Sequence, residues 1–209
     1  MTREDLSRNY WRYYRMLEDK FLASTNFVEI SPSNFQTFSN EYALLLQSIG
    51  AELDNFFKVY CGFSLTDRKN IVDYTTFILS DYPSITRQKV KVLGTNIDVT
   101  PFLGWNTAAP AQSLSWWQAF DKVKHNRHGS FSEASQGNVL NILAALYILE
   151  MKQFGKVVIE SAGHLNEPDS PDEKSRLFSL PGWSFRFIRV GEFFALIDGE
   201  LCQVVDDED

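Results

Sequence analysis

The sequence predicts a mainly α-helical protein, an up-and-down helical bundle with an inserted β-hairpin and a small antiparallel β-meander at the C-terminal end. Three observations lead to this fold class. Apolar residues recur three and four positions apart over most of the chain up to Phe154. The period changes to two near residue 90 and again beyond residue 176. With 44% apolar residues, the 209-residue chain can bury a large core.

The first three helices follow from apolar stripes and their end signals. A first helix is expected over about 3–23. The second is the clearest, because one stripe runs without interruption through Phe38, Tyr42, Leu45, Ile49, Leu53, Phe56 and Tyr60. Thr66 is expected to cap a third helix that ends before Pro83.

A hairpin is predicted over about 88–101, since apolar residues alternate with polar ones on both sides of a turn at Gly94. A fourth helix is expected to begin at Ser115, because Gln118 follows at the spacing of a capping box. Ser132 is expected to cap a fifth helix that ends at Gly155. This fifth helix is apolar nearly all round, which predicts that it forms the centre of the core.

The bundle is therefore assigned to residues 1–155, and residues 156–209 to a loop plus a β-appendage packed on it. Residues 161–175 are polar and indicate a mobile loop. Four extended segments are expected after it, at 176–180, 185–190, 193–197 and 201–205. Turn signals at Gly191-Glu192 and Asp198-Gly199 separate the later ones.

Composition excludes several classes of protein. A net charge of −7 argues against adhesion of the whole surface to nucleic acid or membrane, although a local basic patch can still bind an anion. Two cysteines are too few for a disulfide framework. No apolar leader opens the chain, and the longest apolar run, 142–149, is short for a membrane helix. We therefore expect a cytoplasmic protein without membrane contact.

The densest polar cluster is the basic run, residues 122–128, which lies at the exit of the predicted fourth helix. Its cations and histidines favour an anion such as phosphate, and nearby aromatic rings are suited to stacking on bases. These rings are Trp116, Trp117 and Phe120. The alternative is a solvated helix end that complements the helix dipole, with the aromatic rings in the core.

Other chemistry has less support in the sequence. His125 and His128 lack a third ligand at a familiar spacing, so no metal site is predicted. Phosphate-binding glycine motifs are absent, so no nucleotide cofactor is expected. On the second helix, Glu52 and Asp54 either face the basic run and orient His125, or Asp54 pairs locally with Lys58.

Residues 117–127, Trp-Gln-Ala-Phe-Asp-Lys-Val-Lys-His-Asn-Arg, followed by the apolar segment 138–149, resemble the HEPN-like helical proteins of prokaryotes. Residues 51–58 are similar to the acidic helix of bacterial members of unknown function. The resemblance covers about residues 6–154. It implies a bundle of four or five helices that is often dimeric. Active members cut RNA without a metal, using an Arg that precedes a His with four to six residues between them, in phage defence, toxin–antitoxin pairs or stress responses.

The chain departs from the family pattern at the arginine. His125 fits the histidine, but Gln118, Ala119 or Phe120 stands at the arginine position, and Asp121 replaces the usual Asn. Arg127 or Lys124 is then left to supply the cation from the far side. The expected roles are as follows: catalytic His125, Arg127 and Asp121; phosphate-binding Lys122, Lys124 and His128; supporting Glu52, Asp54 and Lys58.

Two functions follow from these observations. The first is an RNA-directed protein, either a degenerate metal-independent endoribonuclease or an RNA binder. The second is a non-catalytic module that dimerises or docks a partner protein, with sheet edges available for strand addition. The sequence leaves open whether the protein is an enzyme.

Overall fold

The computed structural model describes residues 1–160, 170–181, 185–189, 192–197 and 200–204, and within these the chain is mainly helical. The helices are α1 (Arg3–Leu6), α2 (Arg12–Ser24), α3 (Asn40–Tyr60), α4 (Ile71–Asp81), α5 (Ser115–Asn126) and α6 (Gln136–Glu160). A π-helical turn over Ser7–Trp11 joins α1 to α2, and short 3₁₀ turns occupy Pro32–Asn34, Pro83–Arg87 and Phe131–Glu133.

Two small antiparallel sheets accompany the helices. The first has the order β2-β1-β3 and contains β1 (Val90–Val92), β2 (Asp98–Val99) and β3 (Phe178–Ser179). The second has the order β4-β5-β6 and contains β4 (Phe185–Arg189), β5 (Glu192–Ile197) and β6 (Glu200–Val204). The predicted inserted hairpin is confirmed as β1 and β2, with Lys91 opposite Asp98 on its exposed face.

Helix α6 lies at the centre of the core, as its all-round apolar character predicts. From Val139 to Leu149 every side chain is buried except that of Asn141. Helices α2, α3 and α5 pack around it. Among the helices of the described residues, none has the length and apolar character needed to cross a bilayer.

Helices α3 and α5 approach closely at Gly50 of α3. A Cβ atom at this position would lie 2.2 Å from the ring of Phe120 on α5. Further along the same pair of helices, the rings of Phe57 and Trp117 are 5.9 Å apart. Helices α3 and α5 therefore run antiparallel, and the missing side chain at Gly50 lets the Phe120 ring sit directly on the α3 backbone.

Two predicted helix starts, those of α4 and α6, are wrong, while α5 begins at Ser115 as predicted but without the predicted cap. Asn70 caps α4, and the Asp73 side chain completes its capping box, whereas Thr66 belongs to the preceding turn. Ser115 is the first residue of α5 rather than its cap, and Gln118 donates to the carbonyl of Gln112. Ser132 lies in a 3₁₀ turn ahead of α6, which continues past Gly155 to Glu160.

The strap, residues 170–177, lies against the N-terminal helices. The predicted loop covered 161–175, of which 161–169 lie outside the described residues. The Arg3 guanidinium donates to the carbonyl of Ser170 at 2.7 Å and pairs with Asp172 at 2.6 Å. The Trp11 indole donates to the carbonyl of Glu173 at 2.8 Å. Residues 170–175 form neither helix nor strand, as predicted for a loop, and side chains from α1 to α2 hold this backbone against the bundle.

Glu18 of α2 anchors the end of the strap. Its fully buried carboxylate accepts from the Ser175 hydroxyl and from the backbone N–H groups of Arg176, at 3.0 Å, and Leu177, at 3.2 Å. The Tyr14 hydroxyl donates to the same carboxylate at 2.8 Å. A buried carboxylate is stable only when its oxygens are paired in this way.

The first segment of the predicted C-terminal meander, 176–180, pairs with the inserted hairpin and not with the later segments. Residues Phe178–Ser179 form β3, which pairs with β1 of the hairpin rather than with β4. The three later segments do pair in sequence order as an antiparallel sheet. The predicted turns at Gly191 and at Asp198-Gly199 lie outside the described residues. Pairing with the hairpin follows from the anchoring at Glu18, which places Leu177 beside Leu93.

Candidate functional site

The basic run lies at the C-terminal end of α5, beside the N-terminal end of α3. Because these helices are antiparallel, Arg127 reaches Asn40, the first residue of α3, and donates to its side-chain oxygen at 3.4 Å. All the charged and histidine side chains of the run are exposed: Lys122, Lys124, His125, Arg127 and His128. The run is therefore an open surface and not a lining of the core.

The run contains cations with and without acidic partners. Lys122 pairs with Glu133 at 2.6 Å. Lys124 instead lies over the ring of Phe120, 5.4 Å from its centre, and Arg127 contacts the neutral Asn40. Among the described residues, neither Lys124 nor Arg127 forms a salt bridge. These two positive charges are available to an anion.

The predicted catalytic residues separate into two groups. Nε2 of His125 lies 3.4 Å from an oxygen of Asp121, one helical turn earlier, and both side chains are mostly exposed. Arg127 is two residues after His125, which places the two about 160° apart around the helix. The structure therefore brings His125 and Asp121 together, while Arg127 turns towards α3 with Lys124.

The predicted supporting residues lie elsewhere on α3. Asn40 marks the point on α3 that the basic run reaches, and Glu52 is 12 residues further, about 18 Å along the axis. Glu52 instead lies near Tyr10, whose pKa is raised by burial and by the charges of Glu52 and Glu150. No hydrogen bond or ion pair within the described residues joins Glu52 to His125.

Asp54 and Lys58 also turn away from the basic run. Asp54 lies near Tyr74 of α4, where burial and then the Asp54 charge raise the pKa of the tyrosine. The Lys58 ammonium donates to the carbonyl of Leu65 at 3.2 Å. The predicted local pair between Asp54 and Lys58 is not among the salt bridges of the described residues.

The aromatic residues predicted to stack on bases are part of the core. Trp116 is only 1% exposed, and its indole donates to the carbonyl of Pro101 at 2.6 Å. Trp117 packs against Phe57, and Phe120 against Gly50. The stacking role is therefore wrong for Trp116 and Phe120, which are core residues as the alternative interpretation states, while Trp117 is half-buried against the core.

Two other aromatic residues lie beside the basic run and were missed by the sequence analysis. The aromatic pair, Phe38 and Phe131, meets edge to face with ring centres 5.4 Å apart. Phe38 is 48% exposed. The missed signal is Ser39, whose hydroxyl accepts from the N–H of Tyr42 and caps α3. A helix that begins after Ser39 leaves Phe38 outside the buried stripe.

Other polar or concave features lie away from the predicted site. A cavity of about 260 Å³ lies between α6, the strap and β3, lined by residues that include Tyr147, Met151 and Phe178. None of the predicted site residues lines it. Within the described part of the chain, no three His, Cys, Asp or Glu side chains are grouped as metal ligands.

Comparison with protein-family models finds no match, and comparisons with curated proteins and with solved structures find none either.

Proposed function

We propose that this protein binds RNA through the exposed end of α5, with Lys124 and Arg127 as its principal phosphate contacts. The observation that carries the proposal is the pair of exposed cations without an acidic partner among the described residues. Both lie on the edge of α5 that faces α3, one turn apart. Two cations at this spacing suit successive phosphates of one strand, and such contacts supply most of the affinity of sequence-independent binding.

The local charge balance supports a phosphate ligand in spite of the acidic chain. The run contributes three permanent cations, Lys122, Lys124 and Arg127, and its close acidic neighbours are Asp121 and Glu133. His125 and His128 add positive charge when they are protonated. Because the whole chain has a net charge of −7, the remaining surface is acidic, which repels nucleic acid and so directs it to this one end of the bundle.

Cleavage of the bound RNA would rest on His125. As a general base it would remove the proton of a 2′-hydroxyl, whose oxygen attacks the adjacent phosphorus. The bond to the 5′-oxygen breaks, which leaves a 2′,3′-cyclic phosphate and a 5′-hydroxyl that takes its proton from water. Asp121 is placed to orient the imidazole, while Arg127 lies on another side of the helix. This separation supports RNA binding more strongly than cleavage by the His125–Arg127 pair.

Binding is tested by removing the two unpaired cations together. We expect Lys124→Ala/Arg127→Ala to weaken binding of labelled RNA and to lower the dependence of log affinity on log salt by about 1.4, or about 0.7 for each lost phosphate contact. The matched control is Arg68→Ala/Lys89→Ala, which removes one exposed Arg and one exposed Lys elsewhere. Equal losses of RNA affinity in the two double variants would show that the effect depends on net charge alone, which would contradict the proposal.

Cleavage is tested in the same samples. Wild type and His125→Ala are incubated with transfer RNA and messenger RNA in EDTA, and the products are resolved on a gel. Loss of cutting in the variant with retained binding would assign His125 to catalysis. Binding without cutting by either protein would identify the surface as an RNA-binding site without ribonuclease activity.

A further inference from the structure

We propose that the aromatic pair, Phe38 and Phe131, is a stacking platform for an unpaired base, so that the RNA taken by this surface is single-stranded. The inference rests on the proposed function and adds the substrate class. Its starting point is the exposure of Phe38, which is 48%, two residues before Asn40, the contact of Arg127. The half-buried Phe131 packs edge to face against it and supports its ring.

The backbone around Phe38 is held in place on α6. The N–H of Gln136 donates to the carbonyl of Thr37 at 2.9 Å, and the N–H of Gly137 donates to the carbonyl of Phe35 at 3.0 Å. Phe38 itself forms an isolated antiparallel bridge with Ser135. A ring on a fixed backbone loses little further freedom when a base stacks on it, so the platform is preorganised.

Both members of the platform are tied to the basic run. Arg127 contacts Asn40, two residues after Phe38. Lys122 pairs with Glu133, two residues after Phe131. Both aromatic residues thus lie two positions from a residue that the basic run contacts, and the same strand can place its phosphates on the run while one of its bases meets Phe38. This combination of a cationic track and an aromatic surface is typical of sites for single-stranded nucleic acid.

Duplex RNA cannot use such a platform. Its bases are stacked on each other inside the helix and offer no free face, so only the phosphate contacts remain. We therefore expect the wild-type protein to prefer a short unstructured RNA over the blunt duplex of the same length, measured by fluorescence anisotropy at one fixed salt concentration.

The decisive variant is Phe38→Ala. We expect it to weaken binding of the unstructured RNA about tenfold, the usual effect of losing one stacked base, and to change duplex binding little. Phe38→Trp should retain the preference. A 2-aminopurine in the unstructured RNA should be quenched on binding to wild type and not on binding to Phe38→Ala.

The matched control is Phe77→Ala. Phe77 is 37% exposed and also packs edge to face on another phenylalanine, Phe63, with ring centres 5.9 Å apart, but it lies on α4. It should leave both affinities unchanged. A comparable loss in Phe77→Ala would overturn the platform, because it would reflect general loss of apolar surface.

The outcomes separate this inference from the function on which it rests. If Phe38→Ala binds both RNAs like wild type while the Lys124/Arg127 double variant fails, the platform is wrong and RNA binding stands. The same holds if Phe38→Ala loses only the capture of a partner protein. If the wild-type protein binds neither RNA, both proposals fail together.

Discussion

Glu150 has a buried environment that is unfavourable for a charged carboxylate. Its carboxyl group is fully buried in α6, and neither oxygen has a hydrogen-bond partner in the described part of the chain. Burial, and then the charge of Glu52, raises its pKa well above the usual range. The folded protein therefore keeps a proton on Glu150 that the unfolded chain releases near the ordinary carboxyl pKa.

This proton gives stability a definite dependence on pH. Because the folded state binds it more tightly, the free energy of unfolding falls as pH rises from the ordinary carboxyl pKa towards the raised one, by about 1.4 kcal/mol per pH unit. Glu150→Gln cannot ionise and should lack this slope. Urea unfolding across the pH range should show equal stability of the two proteins in acid and a more stable variant near neutrality.

A control variant isolates the effect of burial. Glu41 is exposed at the start of α3, so Glu41→Gln should keep the pH dependence of wild type. If Glu150→Gln loses stability with rising pH as steeply as wild type, the buried carboxyl is ionised in the folded protein and the assignment of its proton is incorrect.

At the scale of single elements, the apolar period predicts which residues of a helix are buried. It does not predict which polar residue caps the helix and so sets its first residue. Helix α3 was predicted over nearly its whole length because its buried stripe is long. The starts of α4 and α6 were missed because several Ser, Thr and Asn residues stand near each start, and each can cap. A side chain that already has another hydrogen-bond partner cannot cap the helix. Thr66, for example, forms a hydrogen bond with Ser64.

The π-helical turn at Ser7–Trp11 also escaped prediction, for a physical reason. A π-turn adds one residue to a turn without changing the apolar character of the sequence. Here it brings Leu6 and Trp11, five residues apart, onto the buried side together. Trp11 then reaches Glu173 of the strap, a partner 162 residues away that no local pattern indicates.

The contact between α3 and α5 leads to a prediction at Gly50. Alanine at a helical position normally stabilises by about 1 kcal/mol relative to glycine. At Gly50 its Cβ would meet the Phe120 ring at 2.2 Å, and that ring is enclosed by the core. We expect Gly50→Ala to be destabilising by about 1–3 kcal/mol in urea unfolding, as overpacked cores are.

The neighbouring position provides the comparison. Ala51 is exposed on the same helix, so Ala51→Gly reports helix propensity alone. It should lower the free energy of unfolding by about 1 kcal/mol. A more stable Gly50→Ala protein would mean that α3 and α5 are further apart than described. Since α5 carries the basic run, the same variant should also weaken RNA binding.

At the scale of the whole molecule, the candidate site combines one predictable part with one that needed the fold. The basic run is contiguous in sequence, and the sequence predicts it as the functional site. Its neighbours Phe38 and Asn40 come from a segment more than 80 residues earlier, brought there by the antiparallel packing of α3 on α5. Local spacing does not indicate long-range neighbours of this kind. The predicted supporting residues Glu52 and Asp54 therefore come from the sequence pattern of α3 and not from its contacts with α5.

The strap predicts how deletions from the C-terminal end will behave. Removal of 182–209 keeps every described contact of the strap with Arg3, Trp11 and Glu18. Removal of 170–209 leaves the buried Glu18 without the Ser175 hydroxyl and two backbone donors. We expect the longer deletion to cost at least about 3 kcal/mol more in urea unfolding, because breaking one side of a buried charged network has that effect.

The shorter deletion also tests the alternative of a protein-interaction module. If β4 to β6 dock a partner by strand addition, the chain without 182–209 should stay folded and lose the partner. Partner capture that survives this deletion would place docking elsewhere. Similar stability of the two shortened chains would show that the strap adds little to the bundle.

Several hydrogen-bond partners of Glu18 are synthesised much later than Glu18 itself. Ser175 follows Glu18 by 157 positions, and at about 5–20 residues per second the ribosome needs about 8–30 s to make the chain between them. Helix α2 is complete long before the groups that allow its carboxylate to be buried exist. A released chain that ends just before Ser175 should therefore be open to protease, and one that ends a few residues beyond Leu177 should be resistant.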